Sequence, residues 1–192
     1  MKGTTEAPVR PEIPTLRTER LVLRPTALSD ARDYHALLSD PAVAAGLQRQ
    51  VPASFADSER QLHRVLARQS TGEATSWSAV VGESGEGPAI GFLGLVRTDF
   101  VHRSSEVFYE LRSAHWNQGF VTEALRRVIR HAFEPLALHR LEGRAHPANQ
   151  RSVQVLERCG FKREGVLRES YFLEGKFYDS VVYGLIAPGP SL

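Results

Sequence analysis

The stretch Y-E-L-R-S-A-H-W-N-Q-G-F-V-T-E-A-L, Tyr109 to Leu125, concentrates residues whose types and spacing suit chemistry. An apolar strand ends at Leu111, a polar loop crosses, and a long helix opens around Gln118-Gly119. At a helix start the first N–H groups have no intrahelical partner, and the positive end of the helix dipole lies there too. Gly119 lets an anion approach this backbone with no Cβ in the way. A pyrophosphate fits such a place, and so does an ordinary turn in which Gly119 serves only its backbone angle. Glu110 places a carboxylate in an otherwise apolar strand end, where it faces a cleft, turns outward or pairs with a cation.

A second group follows in P-A-N-Q-R-S-V-Q-V-L-E-R-C-G-F, Pro147 to Phe161. Asn149 and Ser152 have the spacing of helix caps. Glu123, in the first turn of the earlier helix, complements the dipole and is not read as catalytic. Cys159 follows apolar helix positions and precedes Gly160-Phe161, the setting of a small buried hydrophobe rather than a nucleophile. The histidines contain no H-x-x-x-H pair and Cys159 is the only cysteine, so no metal site is predicted.

The elements that must position these groups follow from periodicity and punctuation. Leu21 and Leu23 alternate with Arg20, Val22 and Arg24 up to Pro25, a strand. Ser29-Asp30 offers an N-cap to a short helix bearing Tyr34, Leu37 and Leu38, and Asp40-Pro41 stops it. Ser54 to Gln69 predicts a second helix with Phe55, Leu62, Val65 and Leu66 on its apolar stripe. Trp77 to Val81, Ala89 to Val96 and Glu106 to Leu111 read as strands, the first two joined by the turn E-S-G-E-G-P. Gln118 to Phe133 is the clearest helix, with Ala124, Leu125, Val128, Ile129 and Phe133 at helical spacing. A strand at Arg140 to Ala145, a helix from about Asn149 to Cys159, and strands at Phe161 to Arg168 and Phe177 to Ile186 about a Gly175 turn complete the chain. Helices that separate only some of the strands predict an α/β sheet with both parallel and antiparallel neighbours.

The 192 residues suit one domain, expected over residues 15–188 behind a flexible N-terminal segment of residues 1–14. Lys and Arg are scattered and the formal charge is +2, which excludes a basic tail that binds nucleic acid by charge alone. The start M-K-G-T-T-E-A-P-V-R-P has no apolar core of signal-peptide length, and no run approaches the roughly 20 apolar residues of a membrane span. With a single cysteine and no possible intrachain disulfide, a cytoplasmic protein without a membrane partner is expected.

W-N-Q-G-F-V-T-E-A-L resembles the acyl-CoA pyrophosphate loop of GNAT N-acetyltransferases, and in particular the W-G-x-G-x-A-T-E-A-L form of their Rim-type branch, which acetylates ribosomal-protein N-termini. T-E-R-L-V-L-R-P (Thr18 to Pro25), I-G-F-L-G-L (Ile90 to Leu95), the Pro147 to Phe161 run and G-K-F-Y-D-S-V-V-Y (Gly175 to Tyr183) match the same branch in order. Val121 departs from the pattern, standing where glycine or alanine is usual. The resemblance implies a GNAT fold: a central mixed, mostly antiparallel sheet with a V-shaped splay at the acetyl-CoA site and helices on both faces. Acetyl-CoA is the implied co-substrate. Its implied binding set is Tyr109, Leu111, Arg112, Trp116, Asn117, Gln118, Gly119, Phe120, Val121 and Thr122, with Asn149 and Ser152 toward the pantetheine and thioester sulfur.

Acetyl transfer to an amine needs a base or a water chain, a donor for the oxyanion and a proton for the departing thiolate. Glu110 is the favoured base, with a salt-bridge role equally open; His146 is a second candidate, and ordered water a third route. A main-chain N–H near Leu111 is the expected oxyanion donor, and Ser152 or a nearby tyrosine the expected acid. The acceptor is expected to be a protein N-terminal α-amine. A small-molecule amine (antibiotic, polyamine or amino acid) is the alternative, and a non-catalytic acyl-CoA-binding domain a third reading. The resemblance also allows a homodimer.

Overall fold

Apolar residues on alternate positions make Leu21–Pro25 a strand, β2, onto which a short partner, β1 (Leu16–Arg17), folds back antiparallel. The computed structural model describes residues 12–47 and 50–189. It continues with α1 (Ala31–Leu38), α2 (Pro41–Leu47), α3 (Phe55–Thr71), β3 (Ala74–Val81), β4 (Gly91–Asp99), β5 (Ser104–Leu111) and α4 (Phe120–Phe133). Then come β6 (Arg140–Ala145), α5 (Gln150–Arg158), β7 (Lys162–Leu173) and β8 (Lys176–Ile186). The strands form one eight-stranded sheet in the order β1-β2-β3-β4-β5-β6-β8-β7. Only the β5–β6 pair is parallel among the described residues, which is the mixed, mostly antiparallel sheet expected.

Each face of the sheet buries one apolar cluster. Leu23, Trp77, Leu95 and Leu141 pack with Leu125 and Val128 of α4 and Leu156 of α5. On the other face Phe92 packs with Tyr34, Leu37 and Leu38 of α1 and Leu62 of α3. The stripe of α4 therefore behaves as its spacing predicts, whereas Phe55, placed on the α3 stripe by periodicity, is 41% exposed in the first turn.

Local chemistry shifts several expected boundaries. Asp40-Pro41, expected only as a stop, ends α1 and also opens α2, because proline lacks an N–H that the first helical position would leave unpaired. Asp40 Oδ1 accepts the Ala42 N–H at 2.9 Å, completing the cap. Asp30 takes the N-cap position of α1 as expected, but its side chain makes no capping hydrogen bond to that helix. Its buried carboxylate instead takes a bidentate pair from Arg24 at 2.9 and 2.5 Å and the Ser78 hydroxyl at 2.7 Å. Burial alone would push this carboxyl up, but those donors and the Ala27 N–H hold it below the usual range. Residues 1–11 of the expected flexible segment lie outside the described residues. Within the described part, Ile13 packs on the core and the Pro14 carbonyl accepts the Trp77 indole N–H at 2.7 Å, so ordered structure begins ahead of residue 15. No described helix is long and apolar enough to cross a membrane.

Candidate active site

The site begins where two parallel strands part. β5 and β6 pair from Ser104↔Arg140 to Glu106↔Glu142 and no further, so the rest of β5 diverges from β6 in a V. On the other side β5 stays paired with β4, Gly91 lying opposite Leu111. Hydrogen-bonded pairs alternate along an antiparallel ladder, and the Arg112 N–H reaches the Ile90 carbonyl at 2.9 Å. The alternation turns the N–H groups of Tyr109 and Leu111 away from β4 and into the V, as an oxyanion donor requires. Past the split, Gly143 of β6 permits close approach by α5: a Cβ there would meet Leu156 Cδ2 at 2.5 Å. That contact seats the last turn of α5 on β6, while Ser152 in its first turn reaches Tyr109 of β5.

A cleft of about 170 Å³ runs from the V to the start of α4. Asn117 and Gly119 adopt left-handed backbone angles (φ 61° and 81°), so the chain turns sharply into the helix. Gly119 is the N-cap and supplies no side chain to the first-turn N–H groups, which fits the residues present to an anionic group such as a diphosphate. Asn117, Gly119, Phe120, Val121 and Thr122 all line the cleft, as does Trp116. The Val121 side chain also packs on the core cluster. Trp116 donates its indole N–H to the Leu111 carbonyl at 2.8 Å and carries the Arg151 guanidinium 4.6 Å above its ring. Gln118 and Arg112 do not line the cleft. The Gln118 amide turns back to the Ala114 carbonyl, and Arg112 continues the β4 ladder.

The structure brings Tyr109 and Ser152 together: their hydroxyls are 2.8 Å apart across the cleft wall. Burial pushes the Tyr109 phenol well above its usual range, the Ser152 hydrogen bond opposing it only in part. The phenol therefore holds its proton at neutral pH. Asn149 serves as cap: its Oδ1 accepts the Ser152 N–H at 3.2 Å, and its Nδ2 donates to the Gly46 carbonyl of α2 at 2.6 Å. This leaves the Ser152 hydroxyl out of the capping, and it meets the Tyr109 hydroxyl instead.

Glu110 lies opposite Phe92 in the register and also lines the cleft. Strand alternation puts it on the α1–α3 face, opposite to Tyr109, which packs on the α4–α5 cluster. His146 lines an adjoining cavity of about 250 Å³ that shares Gly46, Leu47, Asn149 and Ser152 with the cleft, its ring 5.8 Å from that of Tyr178. The half-buried Cys159 thiol is pushed up to about 11 by burial, Arg126 opposing, so it stays protonated.

The early helices over Ser29 to Gln69 were expected to wall the acceptor side, but α2 was not foreseen as a helix of its own, and its Val43, Gly46 and Leu47 line the cleft. Asp40 Oδ2 accepts the Ser113 N–H at 3.1 Å, tying the start of α2 to the loop after β5. The signal for it was Asp40-Pro41, a cap followed by a first-turn proline.

The family model described as an acetyltransferase (GNAT) domain matches residues 20–162. Uncharacterized N-acetyltransferase p20 of Bacillus licheniformis is 30% identical over 90% of this chain and 96% of its own length. The ribosomal-protein-serine acetyltransferase of Escherichia coli is 31% identical over 53% of this chain and 56% of its own. Among solved structures, spermidine N-acetyltransferase from Vibrio cholerae, in complex with CoA and spermine, matches with a TM-score of 0.74 at 23% identity, over 86% of this chain and 95% of that one.

Proposed function

The chain belongs to the GNAT acetyltransferase family and is an acetyl-CoA-dependent N-acetyltransferase; from this premise we propose that its acceptor is the α-amine of a protein N-terminus. One domain carries the activity, expected over residues 15–188 and extended at its start by the Ile13 and Pro14 contacts. Acetyl-CoA, when bound, supplies the activated acetyl thioester. Backbone N–H groups at the start of α4 hold its diphosphate, and the Leu111 N–H, turned into the V, stabilises oxyanion charge. Glu110, on the acceptor face, takes the amine proton directly or through water. Ser152 Oγ, hydrogen-bonded to Tyr109 Oη, holds the proton that a departing thiolate needs. The protonated Cys159 thiol favours direct transfer in a ternary complex over an acetyl-cysteine intermediate.

The acceptor reading rests on the cavity beside His146. Among the described residues its lining carries no carboxylate, and the Arg144 guanidinium within it is paired with Glu142 at 2.8 Å and lies 3.6 Å from Glu106. A polyamine keeps further positive charges while one amine reacts, and this lining offers them no carboxylate. A peptide N-terminus presents one amine on an uncharged backbone and suits it. Sequence resemblance does not separate the two acceptors, since the ribosomal-protein-serine enzyme and the spermidine N(1)-acetyltransferase of Vibrio cholerae are each 31% identical, over 53% and 47% of this chain.

Thiol release from acetyl-CoA, followed with free and N-blocked peptides beside spermidine, tests this. Turnover confined to free N-terminal peptides, and lowered about a hundredfold in Glu110→Gln, is expected. Faster turnover of spermidine than of any peptide would overturn the acceptor reading, and an unimpaired Glu110→Gln variant would remove that residue as base.

A further inference from the structure

We infer that Arg20 is a positioning residue for the cofactor's diphosphate, holding the Glu123 carboxylate in a pair that keeps its charge off the start of α4. The inference rests on the reading of that helix end as the diphosphate site. Glu123 stands in the first turn of α4, where a carboxylate stabilises the helix itself but repels any anion bound at the same end. The structure resolves this conflict with residues from the turn between β1 and β2. The Glu123 carboxylate accepts the Thr18 hydroxyl at 2.6 Å and the Arg20 N–H at 2.9 Å. It also takes the Arg20 guanidinium, Nε at 2.7 Å and Nη2 at 2.6 Å. Burial pushes this carboxyl up, but the Thr18 and Arg20 donors outweigh it and hold it below its usual range.

The same guanidinium also reaches the turn that precedes the helix. Arg20 Nη1 donates to the Gln118 carbonyl at 3.0 Å, and its Cζ lies 4.5 Å from the Phe120 ring centroid. A Cβ on Gly119 would meet Arg20 Nη2 at 3.4 Å. Arg20 thus grips the residues on both sides of Gly119 while neutralising the anion one turn on. An uncharged side chain of similar length would keep the packing on Phe120 and leave Glu123 as an uncompensated charge beside the diphosphate.

Calorimetric titration with CoA, and with pantetheine as the ligand that lacks a diphosphate, separates charge from packing. Arg20→Met is expected to weaken CoA binding about tenfold, and Glu123→Gln to change it less than about twofold. The double variant Arg20→Met/Glu123→Gln is expected to recover CoA affinity to within about threefold of the parent, because the repelling charge has gone with its partner. Pantetheine binding is expected to stay the same in all three. A double variant as weak as Arg20→Met, or an Arg20→Met variant that binds CoA like the parent, overturns the inference. Should Arg20→Met fail to fold, Arg20→Lys carries the test, with about threefold weakening and the same recovery by Glu123→Gln. A parent that binds no CoA overturns the diphosphate site itself, whatever the variants do.

Discussion

Tyr109 and Ser152 come from a strand and a helix, and each hydroxyl gives the other a geometry that it lacks alone. At the residue scale the pair divides from Glu110, which lies on the opposite face of β5. Removing the proposed acid should therefore slow the chemical step without weakening the cofactor's hold. Ser152→Ala and Tyr109→Phe are expected to lower kcat by roughly tenfold to a hundredfold while CoA affinity moves little, as steady-state kinetics beside calorimetry would show. Equal losses in the single and double variants would mark the two hydroxyls as one unit. Because burial raises the Tyr109 phenol, no alkaline loss of kcat below about pH 9 is expected from its ionisation. An alkaline limb near neutrality that disappears in Tyr109→Phe would contradict this.

Elements carry the next set of constraints. Helix α2 is short and is fastened to the site at both ends, through Asp40 to the Ser113 N–H and through Asn149 to the Gly46 carbonyl. Asn149→Asp keeps an oxygen for the Ser152 N–H, so α5 stays capped, but it sets a carboxylate against the Gly46 carbonyl. The acceptor KM is expected to rise several-fold with a smaller change in kcat, since α2, which walls the proposed acceptor cavity, moves while the start of α4 stays. An unchanged acceptor KM would mean that α2 needs no such tie. At the start of α4, Gly119→Ala forces a side chain into the left-handed region at a cost of about 1–2 kcal/mol. Its expected signature is weaker CoA binding in a protein that still melts cooperatively.

At the scale of the whole molecule, two buried groups make stability depend on pH. His131 of α4 is buried against Trp77, rings 5.5 Å apart, and burial followed by the Arg127 charge lowers its pKa. A histidine whose folded pKa is depressed contributes stability above its unfolded value, about 6.5, and that stability is lost as pH falls below it. Asp30, also depressed in the fold, adds a second loss below about pH 4. Melting temperature should therefore hold near neutrality, decline below about pH 6.5 and fall again at strongly acid pH. His131→Phe, which keeps a ring against Trp77, is expected to flatten the first decline. Asp30→Asn should cost about 3 kcal/mol at neutral pH by leaving Arg24 without its anion, and should flatten the second. A melting temperature constant from pH 7 to 5 in the parent would count against the His131 assignment.

Much of this architecture is local and was legible in the residues. The stripe of α4, the Asn149 cap of α5 and the strand Arg140–Ala145 follow from periodicity and capping within one or two turns of chain. The glycine turn into α4 and the motif order carried the family and its cofactor for the same reason. Contacts between distant segments were not legible, because they depend on strand register and helix docking. Ser152 read equally well as a cap or as an acid until tertiary packing set its hydroxyl against that of Tyr109, 43 residues away. Glu123 read as a dipole partner, yet its strongest contacts are with Thr18 and Arg20, more than a hundred residues earlier. The V itself exists because β5 stays registered with β4 while β6 follows β8, a divergence that no single segment encodes.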